Sequence, residues 1–288
     1  MKKIIITLTL SITYIFGLNA VVSIMPQQEF LKAIGGDKIN ISLMVKAGDS
    51  PHTYEPKPSQ MIALSKADIY FAIGVEFEDV WLPKFRDLNS KLTIVDLSDG
   101  ITKMKMKSEH EDEEHDEDEH HEHHEHSGDD PHIWTSIANI KVMATNIYKT
   151  LSQKEPSNQE YFKANLDKYL DSLDKTDKEI RDTLSSIKED RVFMVFHPSW
   201  GYFARDYNLT QLSVEVEGKK PKPRELVHLI KEAKEMRVRA IFTQPEFSDT
   251  LSKVIAKELH IPVVKVSPLA KDCSANLLHI AQTIAKSK

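Results

Sequence analysis

Only one cysteine, Cys273, occurs in 288 residues. A lone thiol builds no disulfide framework and no cysteine zinc site, and none lies near the N-terminus to carry a lipid. After Leu18 no stretch is long and apolar enough to cross a bilayer. Lys and Arg never cluster densely enough to suggest a nucleic-acid partner. The chain has no H-E-x-x-H, no G-x-S-x-G, no phosphate loop and no dinucleotide fingerprint. These absences argue against a cystine-rich secreted module, a multi-span membrane protein and a nucleic-acid binder. They leave a zinc hydrolase only as a minor alternative.

What is present is unusual. Residues 109–126 read E-H-E-D-E-E-H-D-E-D-E-H-H-E-H-H-E-H, without one apolar side chain. Seven of the thirteen histidines lie there: His110, His115, His120, His121, His123, His124 and His126. Imidazole and carboxylate are donors that zinc and its neighbours accept. A tract this polar buries no face, so a solvated, disordered loop over 104–128 is expected, with weak auxiliary metal sites. Ordering such a loop costs entropy, so the specific site is expected elsewhere. The tract's eleven carboxylates turn a net charge of −6 into about +5 for the remainder.

The N-terminus reads as an export signal. Lys2 and Lys3 precede the uncharged, mostly apolar Ile4–Leu18, and Asn19-Ala20 offers a small residue for cleavage. A signal peptide over 1–20 and a periplasmic location follow; a retained anchor is the rival, but the apolar stretch is short for a span.

The body alternates strand-like and helix-like segments, which predicts α/β lobes, each a mostly parallel sheet flanked by helices. Strands are expected at Val21–Ile24, Ile39–Val45, Ile69–Gly74 and Leu92–Val95, then at Arg191–Phe196, Leu209–Val216, Ala240–Thr243 and Pro262–Val266. Helices are expected over Gln27–Ile34, Gln60–Ser65 with Ser59 as its cap, and Ile137–Leu151. Three more follow at Arg224–Glu235, Ser248–Leu259 and Ala275–Lys286. Asn158 to Ile187 has helical apolar spacing without Gly or Pro, long enough to brace two lobes. The expected division is an N-terminal lobe over 21–155, a connecting helix over 156–188 and a C-terminal lobe over 189–288.

Three histidines outside the tract occupy loop settings. His52 lies between Pro51 and Pro56, after a strand; His132 follows Asp130-Pro131; His197 closes the apolar strand ending at Phe196. Open parallel sheets bind ligands at the carboxyl ends of their strands. Three neutral imidazoles suit zinc with one coordination position open. His228, His260 and His279 fall on predicted helices and read as surface or packing residues.

The motifs Gly48-x-x-Pro51-His52-x-Tyr54-Glu55-Pro56, Asp130-Pro131-His132-x-Trp134 and Phe196-His197 with Gly201-Tyr202-Phe203-Ala204-Arg205 resemble the metal-binding solute receptors of ABC importers. The acidic, histidine-rich insertion is similar to that of the zinc-type, ZnuA-like group. The resemblance implies two α/β lobes joined by a rigid helix, with Zn2+ in the cleft on His52, His132 and His197. Glu55 and Asp272 are its candidates for a fourth donor, and Asp130 for an acceptor behind an imidazole. Ser267 stands where manganese-type relatives would have aspartate. The partners implied are zinc and an inner-membrane permease, with the receptor a monomer. A receptor for manganese or another divalent metal, a zinc hydrolase, and an adhesin or storage protein using the same shell are the alternatives.

Overall fold

The computed structural model describes residues 17–106, 128–215 and 219–287. Strands β1 (Leu18–Val22), β2 (Ile39–Leu43), β3 (Ile69–Ala72) and β4 (Thr93–Asp96) form a parallel sheet in the order β2-β1-β3-β4. Strands β5 (Val192–Val195), β6 (Thr210–Ser213), β7 (Ile241–Thr243) and β8 (Val263–Lys265) form a second parallel sheet in the order β6-β5-β7-β8. Each half therefore follows the same plan: its first strand lies inside, flanked by its second and third. The inner strands β3 and β5 read IYFA and VFMV and are buried throughout, as expected where helices cover both faces of a parallel sheet.

Parallel strands need crossovers. The helices are α1 (Met25–Gly35), α2 (Pro58–Leu64), α3 (Glu76–Leu88) and α4 (Ile137–Lys154) in the first lobe. Then come α5 (Gln159–Leu184), α6 (Gly201–Asp206), α7 (Pro223–Glu235), α8 (Thr250–Leu259) and α9 (Cys273–Lys286). Helix α5 is one uninterrupted helix of 26 residues, about 39 Å long at 1.5 Å per residue. Its buried stripe of Phe162, Leu166, Tyr169, Leu173, Ile180 and Leu184 packs on α1, α4 and α9.

One apolar core runs from the first sheet through α4 and α5 to Phe193, Trp200, Tyr202 and α9; a smaller one lies on the other face of the second sheet. The halves thus share a core. Polar ties reinforce it. Glu29 of α1 accepts hydrogen bonds from Tyr169 Oη of α5 (2.9 Å) and the backbone N–H of Cys273 at α9 (2.7 Å). Trp134 Nε1 donates to Pro268 O at 2.8 Å, and Tyr202 Oη donates to Asp130 O at 2.8 Å.

Several expectations shift. β1 begins at Leu18, not Val21, and pairs Leu18 with Ile39; a cut after Ala20 would remove three of its five residues. Ser59 is not the α2 cap. Lys57 holds that position, and Gln60 Oε1 accepts its N–H at 2.8 Å. Helices α3 and α6 carry no clear signal in the sequence. Pro83 sits inside α3 and ordinarily argues against a helix, but Glu76, Glu78 and Asp79 favour its N-terminus. The segment expected to be loop from 104 is ordered at both ends. Lys105 pairs with Asp129 in an antiparallel bridge, and Asp130 N–H donates to Met104 O at 2.7 Å.

Candidate metal centre

His52 hangs in the loop between β2 and α2, and local bonds close that loop. Tyr54 Oη donates to Met44 O at 2.7 Å, and Gln60 Nε2 donates to Leu43 O and Met44 O at 2.9 and 2.6 Å. His132 lies in the turn before Ile133–Thr135, with its own N–H on Asp130 Oδ1 at 2.9 Å. His197 follows β5 and is locked to the loop after β7: its N–H donates to Gln244 Oε1 (3.2 Å), and Gln244 Nε2 donates to its carbonyl (2.8 Å).

The three side chains converge. A ring nitrogen from each lies within 4.8 Å of the others, and ring centroids are 6.0, 4.8 and 5.2 Å apart. They line a narrow cavity with Trp134, Gln244, Glu246 and Phe247, with space for about one water-sized group.

Each imidazole has a carboxylate behind it. His52 Nδ1 meets Glu76 Oε1 at 2.7 Å, His132 Nδ1 meets Asp130 Oδ1 at 2.7 Å, and His197 Nδ1 meets Glu215 Oε1 at 2.5 Å. An ionised carboxylate only accepts, so each Nδ1 carries the proton and each Nε2 keeps its lone pair. Such partners fix ring orientation and raise donor strength toward a metal. His197 Nε2 is buried with no hydrogen-bond partner, an orphaned acceptor aimed at no protein donor.

The environment separates the rings. Burial pulls the His52 imidazole down, but the hydrogen bond and charge of Glu76, with the charge of Glu215, outweigh it and hold the group above its ordinary value. Burial also leads at His197, where the neighbouring imidazoles add to it and Glu215 does not compensate; that ring is held below its ordinary value. Burial pushes the Glu246 carboxyl up. Glu78, also in α3, anchors the first turn by accepting the N–H groups of Ile73 and Gly74, and burial carries it to about 7.

Of the other residues singled out in the sequence, Asp130 sits against His132, as described. Glu55 is exposed and outside the cluster. Asp272 caps α9, accepting the N–H of Ala275 at 3.0 Å, and does not line the cavity. His228, His260 and His279 are exposed, away from the cluster. The seven tract histidines lie outside the described residues. Glu76, Glu215 and Glu246 were not anticipated; the one available signal was position, since each follows a strand of a parallel sheet.

A profile of the ZnuA family, zinc-uptake complex component A, periplasmic, matches residues 20–286. The chain belongs to the ZnuA family. A crystal structure of ZnuA superposes with a TM-score of 0.84 at 41% identity, covering 94% of this chain and 99% of that one. A ZnuA deletion mutant solved with zinc bound gives 0.82 at 40% identity, covering 94% and 98%. Among curated relatives, the manganese ABC transporter substrate-binding lipoprotein PsaA of Streptococcus mitis is 28% identical over 247 residues, 82% of this chain and 74% of its own length. The metal ABC transporter substrate-binding lipoprotein ScbA of Streptococcus cristatus is 28% identical over 258 residues, 85% and 78%. This ZnuA-family chain is a metal-binding solute receptor of an ABC importer, not an enzyme, and its partners are a divalent metal ion and a membrane permease.

Proposed function

We propose that the chain captures Zn2+ in the periplasm and hands it to the permease of a zinc importer in the inner membrane. His52, His132 and His197 are the ligands in this reading. The observation that carries it is the donor set: three imidazole nitrogens gathered within 4.8 Å, with no carboxylate oxygen among them. Nitrogen-rich sites suit zinc, whereas manganese favours oxygen. Zinc–nitrogen bonds of about 2.0–2.1 Å set tetrahedral nitrogens about 3.4 Å apart. The rings therefore draw in by about 1.4 Å or less on capture, a movement within side-chain reach. The relative solved with zinc bound supports the same cargo.

In this reading the export signal is cut upstream of β1, short of the 1–20 expected from the sequence, and the mature receptor acts as a monomer. Its lobes span 21–155 and 189–288, with 156–188 connecting them. His110, His115, His120, His121, His123, His124 and His126 bind further zinc weakly and raise its local concentration.

A manganese receptor is the second reading, favoured by the names of relatives such as PsaA. Affinity alone does not separate the two, because zinc outcompetes manganese at nearly any nitrogen–oxygen site. The decisive measurement is the metal content of cells lacking this gene, grown in scarce metal. Cell zinc should fall and manganese should hold; the opposite result would sink the zinc assignment. In the purified receptor, His197→Ala should weaken the single tight site more than about 100-fold, and deletion of residues 109–126 should remove only weak binding.

A further inference from the structure

Three imidazoles leave a tetrahedral ion one donor short. Three of the nearby carboxylates are engaged: Glu76, Asp130 and Glu215 each hold an imidazole. Glu246 is different. It lines the same cavity as His52, His132 and His197. The Ser267 hydroxyl and the Lys265 charge favour its ionised form, yet its Oε1 is buried without any hydrogen-bond partner. A buried carboxylate oxygen with nothing to bind is costly unless a cation arrives to meet it.

The loop that carries Glu246 is fixed on both sides of the site. Gln244 bonds the backbone of His197 in both directions. Phe247 stacks on the His197 ring at 5.8 Å and lies 4.9 Å from the Phe196 ring. Gln244 and Phe247 are thus held on either side of Glu246, whose own Oε1 stays without a partner. Its carboxylate is not in the group of nitrogens lying within 4.8 Å of one another, so it has to turn inward to reach the ion.

We propose that Glu246 swings its free oxygen onto the captured ion and supplies the fourth donor. This rests on the reading of His52, His132 and His197 as ligands. The ion is then held by three nitrogens and one carboxylate oxygen from the chain, with water excluded from the fourth position. Because no histidine locks Glu246, the reverse motion reopens that position for release.

The test uses the full mature receptor and its Glu246→Gln, Glu246→Ala and His197→Ala variants. Zn2+ affinity is read by competition with a chelator, and Co2+ serves as the spectroscopic probe of coordination. Both Glu246 variants should weaken Zn2+ by about 10- to 100-fold and change the visible Co2+ spectrum. The metal-free variants should melt at or above the parent's temperature, since both remove an uncompensated buried carboxylate. Unchanged affinity and spectrum in both Glu246 variants, with His197→Ala still defective, overturns the proposal alone. Weakened binding together with a lowered metal-free melting temperature also overturns it, by assigning Glu246 a structural role. Unchanged binding in His197→Ala removes the ligand reading on which the proposal stands.

Discussion

Protons and zinc compete for the same lone pairs. His52 is held above its ordinary pKa by Glu76, so it takes up a proton at a higher pH than a free imidazole would. His197 is held below its ordinary value, so it stays neutral to lower pH. Zinc affinity should therefore begin to fall as pH drops through the raised His52 value, by about one log unit per pH unit while one proton competes, and steepen only in more acid solution. Replacing Glu76 by Gln should shift that onset to lower pH, as chelator competition across a pH series would reveal; an unmoved onset would remove Glu76 from the account. A second residue acts at a distance from the metal. A Cβ built on Gly201 would stand 2.9 Å from Asp130 Oδ2, closer than real contacts allow, so Gly201→Ala should push Asp130 off His132. The expected loss of zinc affinity is about 10- to 100-fold, and unchanged binding in an equilibrium titration would refute it. The three histidines were legible because imidazoles are few outside the tract, and because His52 and His197 followed strands while His132 followed Asp130-Pro131. Their partners were not: Glu76 and Glu215 are two among 44 acidic residues, and only the folded chain singles them out. Asp130 could be suspected because it lies two residues from His132, whereas Asp272 looked available until helix α9 claimed it as a cap.

At the scale of elements, periodicity found what it could. The long stripe of α5 and the apolar runs of the inner strands carry their own signal. Helix α3 carries a contrary one in Pro83, and α6 has only six residues, too few for a period to register. The start of β1 depends on partners far along the chain. Leu18, Asn19 and Ala20 pair with Ile39, Asn40 and Ile41, and Ala20 is buried between β2 and β3. A central strand cut to two residues would lose half its ladder. The mature receptor should thus retain Leu18, and mass spectrometry of the exported protein should find its N-terminus upstream of that residue. A terminus at Val21 would contradict the pairing.

Over the whole molecule, the shared core and the ties through Glu29, Trp134 and Tyr202 oppose wide hinge motion. Small-angle scattering should find the radius of gyration unchanged within about 1 Å on zinc loading, as in preorganised receptors; a contraction of several ångströms would sink the rigid-brace view. The matching strand order of the two halves was invisible in the sequence, because crossover direction leaves no periodic trace. One further feature bears on how such a chain can change over generations. Lys105 and Asp129 close a neck, Met104 O receives the Asp130 N–H, and the Tyr202 hydroxyl bridges Met104 N–H and Asp130 O. The chain leaves and re-enters the described fold through that neck, and doubling the length of a loop closed in this way adds only about 0.6 kcal/mol. Lineages can therefore add, lose or reshuffle histidines in the insertion while the carboxylate that steers His132 stays in register, so the insertion and the cleft are free to evolve at different rates.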